Sequence, residues 1–252
     1  MARVAPAIPE ETALLCEKCG YIVSGIPQDS LCPECAAPIV ESLPEARRPP
    51  DWEREKAGFL SFWRTTAELI FVPGRFFRSM APRGEMRRSA KFARWHVWLT
   101  SFLFGGAAYL HSMWAWPGLR KEQATWVDRP FWEMLVGSIM VTIFSIIAYV
   151  MLSVTTAIAS RLTAWEAAYR GLRLPRRVVQ RALHYHSAHY LPVGLLTFGT
   201  IWGYQLLIRK FPYIDQYAVR YLYVLCGEVI IAAGYLFVTY WKGMRNLMYA
   251  NG

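Results

Sequence analysis

Charge is scarce in this sequence. Asp, Glu, Lys and Arg make up only 18% of its 252 residues, while hydrophobic residues reach 54% and aromatics 15%. A soluble chain of this size needs more charge to cover its surface, so an ordinary soluble domain is excluded. The arrangements that carry catalysis are missing too. Gly-rich phosphate loops, Ser/His/Asp groupings and paired carboxylates are all absent, so the chain is read as non-enzymatic, with no catalytic residue. A secretory leader is also lacking: residues 1–15 do not show a basic stretch followed by a long apolar run. Membrane insertion is expected to begin near Trp95, where the first strongly apolar segment starts.

Long apolar runs, by contrast, are plentiful. Crossing the hydrocarbon core takes about 20 consecutive apolar residues in a helix. Four windows qualify: Trp95 to Trp116, Phe131 to Ser160, His189 to Ile208, and Tyr221 to Tyr240. Short charged loops separate them, which argues against four soluble core helices. Trp95, Trp98, Trp114, Trp116, Trp126, Trp132, Trp202 and Trp241 fall mostly near the predicted ends, as an interfacial aromatic belt does.

The basic residues orient these spans. Arg75, Arg78, Arg83, Arg87, Arg88, Lys91 and Arg94 precede the first, and Arg161, Arg170, Arg173, Arg176, Arg177 and Arg181 lie between the second and third. The other two loops hold only Arg120, Lys121 and Arg129, and Arg209, Lys210 and Arg220. Four spans therefore put 22 of the 28 basic residues on the side of both termini, which the positive-inside rule makes the cytoplasm. Residues 57–80 read as an amphipathic helix with Phe59, Phe62, Trp63, Leu69 and Ile70 near one face, broken at Pro73-Gly74. Residues 176–190 form a second amphipathic stretch, and a re-entrant segment over 59–72 is a fifth candidate membrane element. The basic clusters would attract anionic lipid, which accounts for the net charge of +10.

Near the N-terminus, Cys16-Glu-Lys-Cys19 and Cys32-Pro-Glu-Cys35 are separated by twelve residues. Two C-x-x-C knuckles at this spacing present four thiolates for a tetrahedral metal site. A cytoplasmic location keeps the thiols reduced and disfavours disulfides. Some thirty residues cannot bury enough core to fold alone, so the metal would supply the folding energy. Tyr21, Ile22, Ile26, Leu31 and Ile39 are expected to pack around it. Gly20 suits the backbone geometry after the second cysteine, and Ala36 stands at the equivalent place after Cys35.

The stretch CEKCGYIVSGIPQDSLCPEC resembles zinc ribbons fused to bacterial membrane proteins. It also looks like the rubredoxin-type module of rubrerythrins, matched at Cys16, Cys19, Gly20, Tyr21, Cys32, Pro33 and Cys35. The second resemblance implies one redox-active iron. It covers about 30 residues, however, and the rest of the chain has no rubrerythrin-like di-iron helices, so zinc is preferred, with iron in the four-cysteine site as the alternative. Residues 1–46 carry Arg3 and Lys18 against Glu10, Glu11, Glu17, Asp29, Glu34, Glu41 and Glu45, a net charge of −5. Phosphate binding requires the opposite sign, so a nucleic-acid partner is excluded and a protein contact is expected.

Order and texture in the remainder, with FWRTTAELIFVPGRFFRSMAP before the first span and RRVVQRALHYHSAHYLP entering a later one, weakly resemble the Yip1-like family of multi-span proteins. That resemblance implies a cytoplasmic N-terminus and a non-catalytic role in shaping, trafficking or assembling membranes. The expected fold is an all-α integral membrane helical bundle of about four transmembrane helices plus interfacial helices, with a small N-terminal β-type metal ribbon of four cysteines. Its parts are the ribbon at 1–43, a Pro-rich linker at 44–56, amphipathic interfacial helices at 57–94 and a four-span domain at 95–252. The leading expectation is an inner-membrane scaffold or accessory subunit working with other membrane-protein subunits. Two alternatives stand beside it. One is an electron-transfer subunit using iron in the four-cysteine site and a haem held by His96 with His186 or His189, His184 lying nearby. The other is a small transporter with Glu228 as the coupling acid, since an ionisable residue within a span is functional by default.

Overall fold

A computed structural model of the chain describes residues 13–54, 58–115, 130–172, 174–211 and 218–251. Among them, helices account for nearly all regular structure: α1 (Phe59–Phe71), α2 (Pro73–Ser79), α3 (Met86–Ala115), α4 (Pro130–Tyr169), α5 (Arg176–His186), α6 (Tyr190–Lys210) and α7 (Ala218–Leu247). Trp116, Trp126, Arg120, Lys121, Arg129, Arg173, Arg3, Glu10 and Glu11 lie outside the described residues, as do the side chains of Trp114, Trp132, Arg209 and Arg220.

Three segments are long and apolar enough to cross a membrane: Met134–Tyr169, Arg176–Ile208 and Tyr221–Leu247. The Trp95–Trp116 window does not join them by that measure. His96, His111 and several Trp and Ser residues dilute its aliphatic content. Its helix also starts earlier than expected, at Met86, so the basic stretch before Trp95 and the apolar stretch after it form one continuous rod. At 13 residues, α1 is too short to span.

The chain divides into two compact units, one of residues 1–93, 156–188 and 237–252, the other of residues 94–155 and 189–236. In the first, α1 starts where the Ser61 hydroxyl folds back onto the Gly58 backbone. It stops at Val72 because Pro73 disfavours helical geometry in the residue before it, and Pro73 then opens α2 at a position that needs no N–H. Phe62, Thr65, Thr66 and Leu69 form the buried face of α1, while Phe59, Leu60 and Phe71 remain exposed. Trp52, Phe62, Phe92, Tyr185 and Phe76 make the aromatic core of this unit, with neighbouring ring centroids 5.1 to 6.2 Å apart. Phe62, Phe76 and Phe92 are buried, and each such ring stabilises the fold by about 1.5–3 kcal/mol.

Residues 44–54 of the Pro-rich segment read as a linker belong to this unit. It forms short 3-10 turns at Pro44–Ala46 and Asp51–Glu53, and Arg48 pairs with the chain at Met80. Glu53 and Arg181 form a buried two-toothed ion pair at 2.9 and 2.7 Å. Around it, Tyr185 donates its hydroxyl to Glu53 at 2.6 Å and Arg181 also donates to the Ala81 carbonyl. Amphipathic α5 supplies Arg181 and Tyr185 from the face that buries Val178, Val179 and Ala182.

In the second unit, small residues let helices approach closely. A Cβ at Gly105 of α3 would lie 2.8 Å from the Ser145 backbone nitrogen and the Val141 carbonyl oxygen of α4, which only glycine avoids. Ala107, Ile201 and Tyr221 form a buried cluster joining α3, α6 and α7, with Tyr204 stacked on Tyr221 at 4.0 Å. The outer faces of α4 and α7 expose rows of aliphatic side chains such as Ile146, Ile147, Val229 and Ile230, as hydrocarbon contact requires.

Candidate metal centre

The expected β-type ribbon carries no strand among the described residues. Pairing is limited to isolated antiparallel bridges, Leu15 with Ile22 and Leu31 with Pro38, because each arm is only long enough for one. Two near-identical knuckles stand 16 residues apart. In the first, the Cys16 N–H donates to the Tyr21 carbonyl at 2.8 Å and the Gly20 N–H to the Cys16 carbonyl at 2.7 Å. In the second, Cys32 donates to Ala37 at 2.8 Å and Ala36 to Cys32 at 2.9 Å. Gly20 has φ +81° and Ala36 φ +54°, so the alanine takes up the same left-handed turn that glycine adopts without cost.

This duplication brings the four predicted ligands together. All four Sγ atoms lie within 4.8 Å of one another, with Cys16 to Cys35 at 3.5 Å and Cys19 to Cys32 at 3.7 Å. A tetrahedral ZnS4 site with bonds of about 2.3 Å has sulfur–sulfur edges of about 3.8 Å, so the donor set fits a tetrahedral thiophilic ion. Cys16 and Cys32 are buried, Cys35 is half-buried and Cys19 is exposed. Desolvation raises the Cys16 thiol, and with the neighbouring thiols it pushes Cys19 up to about 12. At Cys32 desolvation acts the same way, but the Cys35 and Glu34 N–H groups and the Cys16 and Cys19 thiols outweigh it and bring that thiol down to about 7. Four crowded sulfurs cannot all ionise without a cation, so protons and metal compete for them. Cys226, on α7, takes no part in the group.

The packing around the sulfurs differs in part from expectation. Ile39 is buried there and Ile26 packs against the cluster, but Tyr21, Ile22 and Leu31 are exposed. Alternation about the bridges turns Val23, Ala37 and Ile39 toward the thiols and their neighbours outward. Leu15, opposite Ile22, is also buried, and its backbone meets the C-terminal segment. The Asn251 side chain donates to the Leu15 and Ser42 carbonyls at 2.7 Å each and accepts from the Leu15 N–H at 3.0 Å. Glu17 accepts the Asn251 N–H at 3.1 Å and pairs with buried Arg47 at 2.7 and 2.8 Å. Arg47 goes on to donate to the Phe77, Met80 and Asn246 carbonyls. Sequence reading missed Glu17, Arg47 and Asn251 as a group, since nothing local marks residues so far apart in the chain as neighbours.

Each of four histidines takes a hydroxyl partner: His184 meets Ser89 at 3.0 Å, His186 meets Thr239 at 3.1 Å, His189 meets Tyr235 at 2.8 Å, and His111 meets Tyr221 at 3.0 Å. His96 is fully buried. Among the described residues, the four cysteines are the one group of three or more metal-ligating side chains gathered together. Glu228 is buried on α7 and accepts from the Thr197 hydroxyl through Oε1, while Oε2 is buried with no hydrogen-bond partner.

Comparison with protein-family models, curated proteins and solved structures finds no match to this chain. What is shown is a four-cysteine cluster near the N-terminus of a helical chain with three segments apolar enough to span a membrane.

Proposed function

We propose that this chain is a non-catalytic scaffold or accessory subunit of the bacterial inner membrane, with four spans, both termini in the cytoplasm, and a zinc-holding ribbon that contacts a partner subunit. The observation that carries this reading is how the ribbon is held. Glu17, Arg47 and Asn251 tie one side of it to the end of α7 and the residues that follow, while Tyr21, Ile22, Leu31 and Val40 stay exposed on a module that holds itself together through metal. Exposed apolar side chains on a rigid module suit protein contact.

The same tie supports the span count. Residue 15 lies against residue 251, which supports an even number of crossings between them. Three segments meet the apolar criterion, and the uncharged part of α3 after Arg94 is the natural fourth. A periplasmic reporter fused after residue 251 should be silent and a cytoplasmic one active. Native complexes should co-purify with the chain from membranes, and I22E/L31E should lose the partner while keeping the metal. Loss of metal instead, or no co-purifying subunit, would overturn the reading.

A second reading, one-electron transfer by iron in the same four thiolates, draws on the exposure of Cys19 and the partial exposure of Cys35, which bring one edge of the cluster to the surface. Metal analysis with a visible spectrum separates the two. Stoichiometric zinc without colour removes the redox reading, and a reducible iron chromophore removes the structural one.

A further inference from the structure

Beside the ribbon, within the first unit, lies a cavity of about 1290 Å³. That exceeds the roughly 300–1,000 Å³ of a site for a drug-sized ligand. Its lining is divided by chemistry. Arg75 and Arg78 come from α2, and Lys242 and Arg245 from the end of α7, each pair three residues apart and so on one helix face. All four are exposed, and among the described residues none of them makes an ion pair. Lys18 adds a fifth cation. Against them stand Glu17, already committed to Arg47, and Glu41, leaving three more positive than negative side chains on the wall. A divalent ion held by four thiolates, one of them Cys19 on this wall, adds two negative charges, and the lining remains cationic.

The lining also has an exposed apolar part beside polar Ser42 and Asn246. Phe71, Val72, Phe237, Val238 and Trp241 all contribute, and the last three belong to a helix apolar enough to cross a membrane. A cationic pocket whose apolar wall runs on into a bilayer-facing helix matches an amphiphile with an anionic head. Arg is suited to the head because its planar fork grips phosphate oxygens in pairs. A soluble anion would find the Arg and Lys groups but would leave five large apolar side chains in water.

We infer that this cavity binds one anionic phospholipid, its phosphodiester held by Arg75, Arg78, Lys242 and Arg245 and its acyl chains lying along Phe237, Val238 and Trp241. The inference deepens the membrane reading proposed above by giving anionic lipid a defined site instead of a diffuse basic face. It does not depend on which side of the membrane the site faces.

The test uses the full-length, metal-loaded protein. It is equilibrated in vesicles of phosphatidylcholine with one fifth phosphatidylglycerol, extracted into detergent, and its retained lipid is counted by native mass spectrometry. One phosphatidylglycerol per chain is expected. R75Q/R78Q and K242Q/R245Q should each lower its retention about tenfold or more, whereas R176Q/R177Q, which removes two exposed charges outside the cavity, should leave it unchanged. Unaltered metal content shows that each variant is folded. Equal loss in all three variants would reduce the site to non-specific attraction, and wild-type retention in the two cavity variants would remove it. Displacement of the lipid by millimolar inorganic phosphate would make this a free-anion site and overturn the proposal. Detergent has no sides, so an error in the proposed topology would not alter these results.

Discussion

The carboxamide of Asn251 closes on the backbone of Leu15 in both directions, accepting its N–H at 3.0 Å and donating to its carbonyl at 2.7 Å. Two residues 236 positions apart thus pair in the manner of adjacent strands, with a side chain standing in for one of them. Asn251→Ala leaves buried backbone groups of Leu15 and Ser42 without partners, at a cost of about 1–3 kcal/mol. Hydrogen exchange over residues 13–43 should accelerate in that variant while metal content stays unchanged. Unchanged exchange would mean that the tie contributes nothing.

Metal removal should have a larger effect. The cluster around the thiols contains only Cys16, Val23, Cys32, Ala37 and Ile39 as buried members, too little to hold the ribbon folded without the ion. Chelation, or any one of Cys16, Cys19, Cys32 and Cys35 changed to Ser, should open residues 13–43 to protease. The spans should keep their helical signal. A ribbon that resists protease after chelation would refute the structural role of the metal.

Gly20 faces two constraints. Its φ of +81° disfavours any side chain by about 1–2 kcal/mol, and a Cβ there would sit 2.6 Å from the Tyr249 ring. Gly20→Ala should therefore loosen the ribbon's contact with the tail, and adding Tyr249→Ala should restore part of the loss by removing the steric share. Full restoration would show that backbone strain is negligible.

Removing one member of the buried Glu53–Arg181 pair leaves the other uncompensated. Glu53→Ala should cost about 3–5 kcal/mol, and E53A/R181M should recover much of it, read as thermal unfolding in detergent. Equal losses in the single and double variants would place the energy in packing instead.

Glu228 invites a test of cost. Its Oε2 is buried without a hydrogen-bond partner, an unfavourable state inside a membrane helix. T197V/E228M, which removes both polar partners together, should unfold at a temperature at least as high as the parent. A clear loss of stability would reveal a further partner for the carboxylate.

Much of this molecule was legible in the sequence because its signals are local. Two C-x-x-C knuckles named all four cysteines whose sulfurs gather, and Pro73 marked the break between α1 and α2. The amphipathic stretch read over residues 176–190 contains α5. The failures share a cause in long-range pairing. Arg47 and Glu53 sit in a stretch whose prolines and charges read as a linker, and only their distant partners, Glu17 and Arg181, make them interior residues. Ile22 and Leu31 look like core by composition, yet a single bridge on each arm turns them outward and leaves the interior to Val23 and Ile39. The reach of α3 back to Met86 was hidden because its first two turns are basic and its later ones apolar, so composition changes where the helix does not.

The tie between Leu15 and Asn251 also fixes an order of events during synthesis. The ribbon leaves the ribosome first and can close around its ion at once, since both knuckles are complete by residue 39. Its resting place at the end of α7 and the residues that follow does not exist until every intervening helix has been made. Until then the Leu15 backbone and Glu17 lack their Asn251 partners. Docking of the ribbon therefore marks the moment at which the chain has been made through to residue 251, and a chain stalled short of that point leaves the Leu15 and Ser42 backbone groups and Glu17 without the Asn251 partners they have in the folded protein.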